Sequence, residues 1–377
     1  MGDPTSHTEN DAPVPLAEAP QRQYKRVYAN YIRAFAACAV VQMHSVGGYL
    51  YTFDPTADPD VRFLTADIIY GHLRWATPFF ILISGALLLN PSKQESISVF
   101  LKKRLRRVLI PFAFWGTIYL LYLYRGNMYY GTWPELKDVL NTIFYNDIYF
   151  HLWFIPMITG LYLLTPIFRI FIQNAKRSDI EYFLVLSFTI TALQHFLPGI
   201  IFVKYIGWMG YIGFYVLGYY LSAFPIKRSW KKVIYPLALA MPLTGAFLTW
   251  WLTVQAGEYD ARVFVYSSPN VVIMIFALFL FLKDFDWGTF ATRYPRVHRA
   301  FNRLADLSYG VYFIHVLILD VIKNGYIFGI KVIPHYFFNI EIHPAIGAPL
   351  VGIVGILLSV LLISLLSRVV FMKKWLM

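Results

Sequence analysis

Apolar residues gather along this chain in long continuous runs, not in short alternating stretches. The runs lie near 28–50, 64–89, 106–124, 151–172, 180–197, 205–223, 232–254, 268–282, 304–323 and 346–367. A helix that crosses a bilayer needs about 20 mostly apolar residues, whereas the strands of a membrane barrel alternate in segments of about ten. The pattern therefore predicts an all-α, polytopic transmembrane helix bundle of about 10 spans. The fifth and eighth runs are short, which sets the range at about 8–11 spans. Before the first run the chain is polar, Pro-rich and acidic, with Asp3, Glu9, Asp11 and Glu18 ahead of the first basic residue, Arg22. This stretch lacks the basic start and apolar run of a secretory signal. Residues 1–24 are read as a disordered cytoplasmic tail, and 25–372 as one membrane domain with an uncleaved first anchor. No repeat of 20–50 residues and no second soluble domain stands out.

Composition agrees. Of 377 residues, 58% are hydrophobic and only 14% charged, against about a quarter charged in soluble domains. The surface of a soluble protein of this size could not be covered, and disorder, collagen and a disulfide scaffold are excluded as well. Cys38 is the only cysteine, so no internal disulfide forms. The net charge is +12, and its distribution carries the meaning. The N-terminal side and every second connection together hold 23 Lys and Arg, against 6 in the other connections. Basic residues mark the cytoplasmic side, so both termini are expected in the cytoplasm. They are spread over six segments, which argues against nucleic-acid binding. The densest segment, Phe100 to Val108, contains Lys102, Lys103, Arg104, Arg106 and Arg107. It reads either as an anchor on anionic lipid headgroups or as a landing site for a phosphate-bearing donor.

Ionisable residues inside spans are expensive and usually face a cavity or a partner. Arg33 and His44 lie in the first run, eleven residues apart. On a helix that step is about 20° past three full turns, so both fall on one face, about 16.5 Å apart along the axis. Arg33 then sits at the inner mouth and His44 in the outer half. Snorkelling explains a lone Arg and helix packing explains a lone His; the shared face weakens both explanations. In the second run Asp67 and Arg74 are seven apart and are also predicted to share a face. Arg74 lies about 15 Å below the outer end. It needs a counter-charge, with Asp67 a candidate, or a wet cavity or an anionic ligand. Ser84, His151, Trp153 and His315 are weaker polar signals. His315 and Asp320 have a His-x4-Asp spacing but diverge by about 140° on one helix. The aromatic, polar segment at 125–150 reads equally as a contact for an extracytoplasmic substrate and as an interfacial belt. Phosphate-loop, dinucleotide, nucleophile-elbow and Cys-x-x-Cys motifs are absent. No metal site is expected, since His335, Glu341 and His343 offer only a weak spacing.

Several motifs in order resemble one family. They are Arg33-x10-His44, Arg74-x3-Pro78-Phe-Phe-x3-Ser84-Gly85, the basic segment Lys102 to Arg107, His151-Leu-Trp-Phe, and Ser308-Tyr-Gly-Val-Tyr-x2-His315. Together they resemble the acyltransferase-3 family of bacterial integral-membrane O-acyltransferases, over about 25–370, and look closest to its surface-polysaccharide O-acetyltransferase branch. The resemblance implies a multi-pass protein of the bacterial inner membrane with no bound cofactor. It implies acyl-CoA, by preference acetyl-CoA, as co-substrate and a glycan or glycolipid hydroxyl as acceptor. It marks the Arg33–His44 pair and Arg74 as functional residues. Some members add a C-terminal extracytoplasmic hydrolase-like domain, which the sequence lacks up to Met377. The expected site has His44 and Arg74 as catalytic groups, with Arg33, Lys102, Lys103, Arg104, Arg106 and Arg107 on acyl-CoA. Asp67, Ser84, His151, Trp153 and His315 support them. A secondary transporter or a non-catalytic membrane partner in polysaccharide export are the rival expectations.

Overall fold

The computed structural model describes residues 19–56, 60–91, 95–145, 148–197, 209–327, 330–331 and 342–375. Within them the chain is helical apart from a two-stranded antiparallel ribbon, β1 (Tyr326–Ile327) with β2 (Ile330–Lys331). The helices are α1 (Ala19–Leu50), α2 (Val61–Leu73), α3 (Ala76–Leu88), α4 (Ile97–Leu123), α5 (Arg125–Tyr130) and α6 (Leu136–Phe144). There follow α7 (Phe154–Asn174), α8 (Arg177–Phe196), α9 (Met209–Ala223), α10 (Arg228–Ala256) and α11 (Pro269–Asp284). The last are α12 (Trp287–Arg293), α13 (Pro295–Asn324), α14 (Pro344–Leu366) and α15 (Val370–Trp375). A 3-10 turn, Arg262–Phe264, precedes α11. Of the expected tail, residues 1–18 lie outside the described residues, and the chain is already helical from Ala19.

Five segments among the described residues are long and apolar enough to cross a membrane: Phe154–Asn174, Arg228–Ala256, Arg262–Asp284, Pro295–Asn324 and Pro344–Leu366. The others fall short for a physical reason. The helix α1 has 32 residues, but Arg33, Gln42, His44 and Ser45 lower its hydropathy. The second apolar run was expected as one helix and is two, of 13 residues each. Pro78 accounts for the break. It lacks the N–H that would bond the Arg74 carbonyl, and its ring collides with that carbonyl. The helix therefore ends at Leu73 with Arg74 as its cap and restarts at Ala76, where Pro78 fits the first turn.

The helix α1 packs against α2, α3, α13 and α14. Its end near Tyr31 is held by polar contacts: Asn30 donates to Asn302 at 2.8 Å, and Tyr31 stacks 3.9 Å above Trp287 with its hydroxyl 2.8 Å from His298 Nδ1. Gln42 and Ser45 both donate to the Ala348 carbonyl at 2.8 Å, joining α1 to α14. The α3–α9 contact is the tightest approach of backbones. A Cβ on Gly85 would lie 1.7 Å from the Tyr215 carbonyl oxygen, and one on Gly218 would lie 1.9 Å from that of Leu82. Only glycine permits such proximity, as at small-residue helix interfaces in membranes. Arg169, another arginine inside an apolar run, is a structural brace: it donates to the Leu88 carbonyl at 2.8 Å and pairs with Glu95 at 3.3 Å. The helix α6 buries nothing, and Tyr129, Tyr130, Trp133, Phe144 and Tyr145 around it are exposed.

Candidate active site

The shared face of α1 opens onto a cavity of about 330 Å³. Arg33 and His44 both line it. So do Ser84 from α3, Arg104 and Arg107 from α4, His151 and Trp153 from the connection before α7, and Ser308, Tyr309 and Tyr312 from α13. Asp306 is the single carboxylate among its described lining residues, against three guanidiniums. The basic segment on α4 is thus divided by its helical turn. Arg104, half-buried, and Arg107, exposed, line the cavity, whereas the exposed Lys102, Lys103 and Arg106 are not among its lining residues. Of the five basic residues expected on one ligand, two line this cavity.

A second cavity, of about 500 Å³, adjoins the first. Arg74 lines it, together with Tyr70, Phe150, Tyr211 and Phe214. His44, Trp153 and Tyr266 line both cavities, so these three side chains form the place where the two meet. Trp153 stacks on Tyr266 at 5.9 Å, and Tyr266 holds Thr77 at the start of α3 through a 3.1 Å hydrogen bond.

Arg74 is 8% exposed and has no carboxylate partner among the described residues. Its Nε donates to the Phe264 carbonyl at 2.5 Å and its Nη1 to the Tyr70 hydroxyl at 3.0 Å. The guanidinium lies 4.0 Å from the Tyr266 ring centroid, a cation–π contact that compensates part of its desolvation. An ion pair with Asp67, one of the candidate partners from the sequence, does not form. The Arg74 side chain reaches the 3-10 turn instead, and both Asp67 oxygens are buried without a hydrogen-bond partner among the described residues.

Three histidines stand in a row at the junction. The His44 and His315 rings are 5.3 Å apart, and those of His315 and His151 are 5.5 Å apart. His315 is fully buried; its Nδ1 lies 2.8 Å from the Tyr312 carbonyl and 3.1 Å from that of Val311. Asp320 points elsewhere and accepts a hydrogen bond from Tyr149. Lys323 donates to the His44 carbonyl at 3.0 Å. Among the described residues no group of three or more His, Cys, Asp or Glu side chains is arranged to hold a metal ion. His343 caps α14 by accepting from the Ala345 N–H, while His335 and Glu341 lie outside the described residues.

The family model described as an acyltransferase domain, acyltransferase-3, matches residues 26–368. The chain belongs to the acyltransferase-3 family. No curated protein and no solved structure matches it. This acyltransferase-3 domain covers nearly all of the described chain, so both cavities lie within it. Of the residues expected from sequence, Arg33, His44, Ser84, Arg104, Arg107, His151 and Trp153 share one cavity, and Arg74 faces the adjoining one. Sequence reasoning missed Tyr70, Tyr266 and the Phe264 carbonyl, which hold Arg74. It also missed Asp306, and it quoted Tyr309 and Tyr312 within the Ser308 to His315 motif without giving them a place in the site. Pro78, four residues after Arg74, was the available sign that the helix breaks there.

Proposed function

We propose that this membrane acyltransferase moves a short acyl group, by preference acetyl, from cytoplasmic acyl-CoA to a hydroxyl of a surface glycan or glycolipid. In this reading it crosses the bacterial inner membrane about ten times with both termini inside. The observation that carries the reading is the pair of adjoining cavities, three guanidiniums lining one and a single guanidinium among aromatic rings in the other, with His44 lining both. The phosphates of acyl-CoA suit Arg33, Arg104 and Arg107 through charge-assisted hydrogen bonds. The thin pantetheine arm then runs along the α1 face, and the thioester reaches His44. The acceptor occupies the second cavity, where aromatic faces suit the C–H faces of a sugar ring.

Because His44 lines both cavities, both substrates meet at one imidazole, which favours direct attack. His44 takes the proton of the acceptor hydroxyl as its oxygen adds to the thioester carbonyl. Arg74 offers N–H donors to the oxyanion that forms. The C–S bond then breaks, and the proton passes from His44 to the departing CoA thiolate. The test is thioester consumption by the purified protein, coupled to mass spectrometry of surface glycans from cells with and without it. Acylated glycan only where the protein is present supports the reading. Identical glycans, or no thioester consumption, contradict it.

A further inference from the structure

Building on the proposed transfer reaction, the geometry points to His315 as a positioning residue that accepts a hydrogen bond from the second ring nitrogen of His44 and so orients it as a base. Both carbonyls beside His315 face its Nδ1, at 2.8 and 3.1 Å. A carbonyl only accepts, so Nδ1 carries the proton and the lone pair is on Nε2. That Nε2 is buried and makes no hydrogen bond among the described residues. An unpaired buried acceptor is destabilising, and the ring 5.3 Å away is His44. With centroids at that separation, a small rotation of either ring brings nitrogen to nitrogen within bonding reach, and such bonds commonly tighten only with substrate bound.

The logic is that of a base whose far nitrogen is held in one tautomer by a fixed acceptor. Here the acceptor is a neutral imidazole, itself fixed by the backbone of α13. When His44 takes the hydroxyl proton it becomes a cation, its other N–H bonds more strongly to His315 Nε2, and the bond relaxes once the proton leaves on the CoA thiolate. His315 gains and loses no proton. The other charged or titratable groups around the pair include Lys323, Asp320 and Tyr312 on α13, Arg74 at the α2–α3 break, Tyr119 on α4, and Tyr149 and His151 before α7. The helix α14 contributes no titratable residue. Lys323 is engaged by the His44 carbonyl, Asp320 by Tyr149, and Arg74 by Phe264 and Tyr70, whereas His315 Nε2, on the ring 5.3 Å from that of His44, has no hydrogen-bond partner among the described residues, as is also true of both ring nitrogens of His151.

The experiment compares wild type, His315→Leu and His315→Gln as full-length proteins, each checked for folding by thermal melting. In His315→Leu, kcat falls on the order of a hundredfold, KM for acetyl-CoA stays within about twofold, and the acid limb of the pH–rate profile moves to lower pH. His315→Gln, whose amide oxygen again offers an acceptor, regains about tenfold of that loss. Imidazole nitrogen NMR on isotope-labelled protein reads the pair without turnover: the His44 resonances shift in His315→Leu, and His315 itself carries its proton on Nδ1. An active wild type with an unmoved pH profile in folded His315→Leu overturns this inference and leaves the transfer reaction standing. Unshifted His44 resonances overturn it as well. A wild type that consumes no thioester, with the NMR coupling present, overturns the reaction and not the dyad.

Discussion

Two cavities adjoin at His44, Trp153 and Tyr266 and differ in charge. The first is lined by three arginines against one aspartate, with two serines and seven aromatic side chains, so that charge and not aromatic content sets the two apart. The second has one arginine, six aromatic side chains and no carboxylate among the described residues. Several fixed cations suit a ligand that brings several negative charges from water, because each pair replaces hydration lost by the other. One buried guanidinium among aromatic rings suits a neutral ligand at which a single charge develops during reaction. In the proposed function the difference separates binding from chemistry: three arginines are assigned to the donor, and one to the reacting centre.

His44 belongs to both sides, so its loss gives the largest effect. A folded His44→Ala protein is expected to lose acyl transfer by about 10²- to 10⁴-fold, measured as thioester consumption at saturating acyl-CoA. Next comes Arg74. Replacing it by Lys removes the planar fork that spans the Phe264 carbonyl and the Tyr70 hydroxyl, and the expected loss in kcat is on the order of 100- to 1,000-fold. Because Asp67 makes no bond to Arg74, Asp67→Asn does not rescue Arg74→Ala. The coupling energy in a double-mutant cycle on thermal stability stays within about 0.5 kcal/mol. Recovery of activity in the double mutant turns Arg74 into a structural partner and removes the contrast between the cavities.

Smaller effects sharpen the donor side. Arg33→Ala raises the acyl-CoA dissociation constant by roughly 10- to 100-fold, the worth of one charge-assisted hydrogen bond, and changes kcat little, since the residue is about 16.5 Å along the helix from His44. The smallest effect falls on the residues that the helical turn of α4 directs outward. Lys102→Ala with Lys103→Ala changes acyl-CoA affinity by less than about twofold, as exposed, screened charges do, whereas Arg104→Ala, at the half-buried arginine that lines the cavity, weakens it by about tenfold. Equal losses at both sets dissolve the distinction between the lining arginines and the exposed lysines.

Periodicity made much of this legible. Eleven residues on a helix return to one face, so spacing alone pairs Arg33 with His44, and the two share one cavity. The helical character of the runs followed from their length. What stayed hidden depends on contacts distant in sequence. The partners of Arg74 at Phe264 and Tyr266 are some 190 residues away, and no local pattern points to them. The seven-residue step from Asp67 to Arg74 lies within α2 and its cap, yet the two side chains do not pair, because Arg74 bonds the Phe264 carbonyl and the Tyr70 hydroxyl instead. The row of histidines joins α1, α13 and the connection before α7, which only packing brings together. The hydropathy of α1 misleads in a useful way: the helix that builds the site is less apolar than the five segments long and apolar enough to cross the bilayer, because site residues replace apolar ones.

Transfer through His44 between two sides is the central claim. The most direct measurement uses proteoliposomes with acetyl-labelled acetyl-CoA in contact with the cytoplasmic face alone and a glycan acceptor at the opposite face. The predicted result is label on a glycan hydroxyl, CoA thiol released only on the donor side, and neither event with His44→Ala. Intact acetyl-CoA crossing the membrane, or the same labelling with His44→Ala, contradicts it.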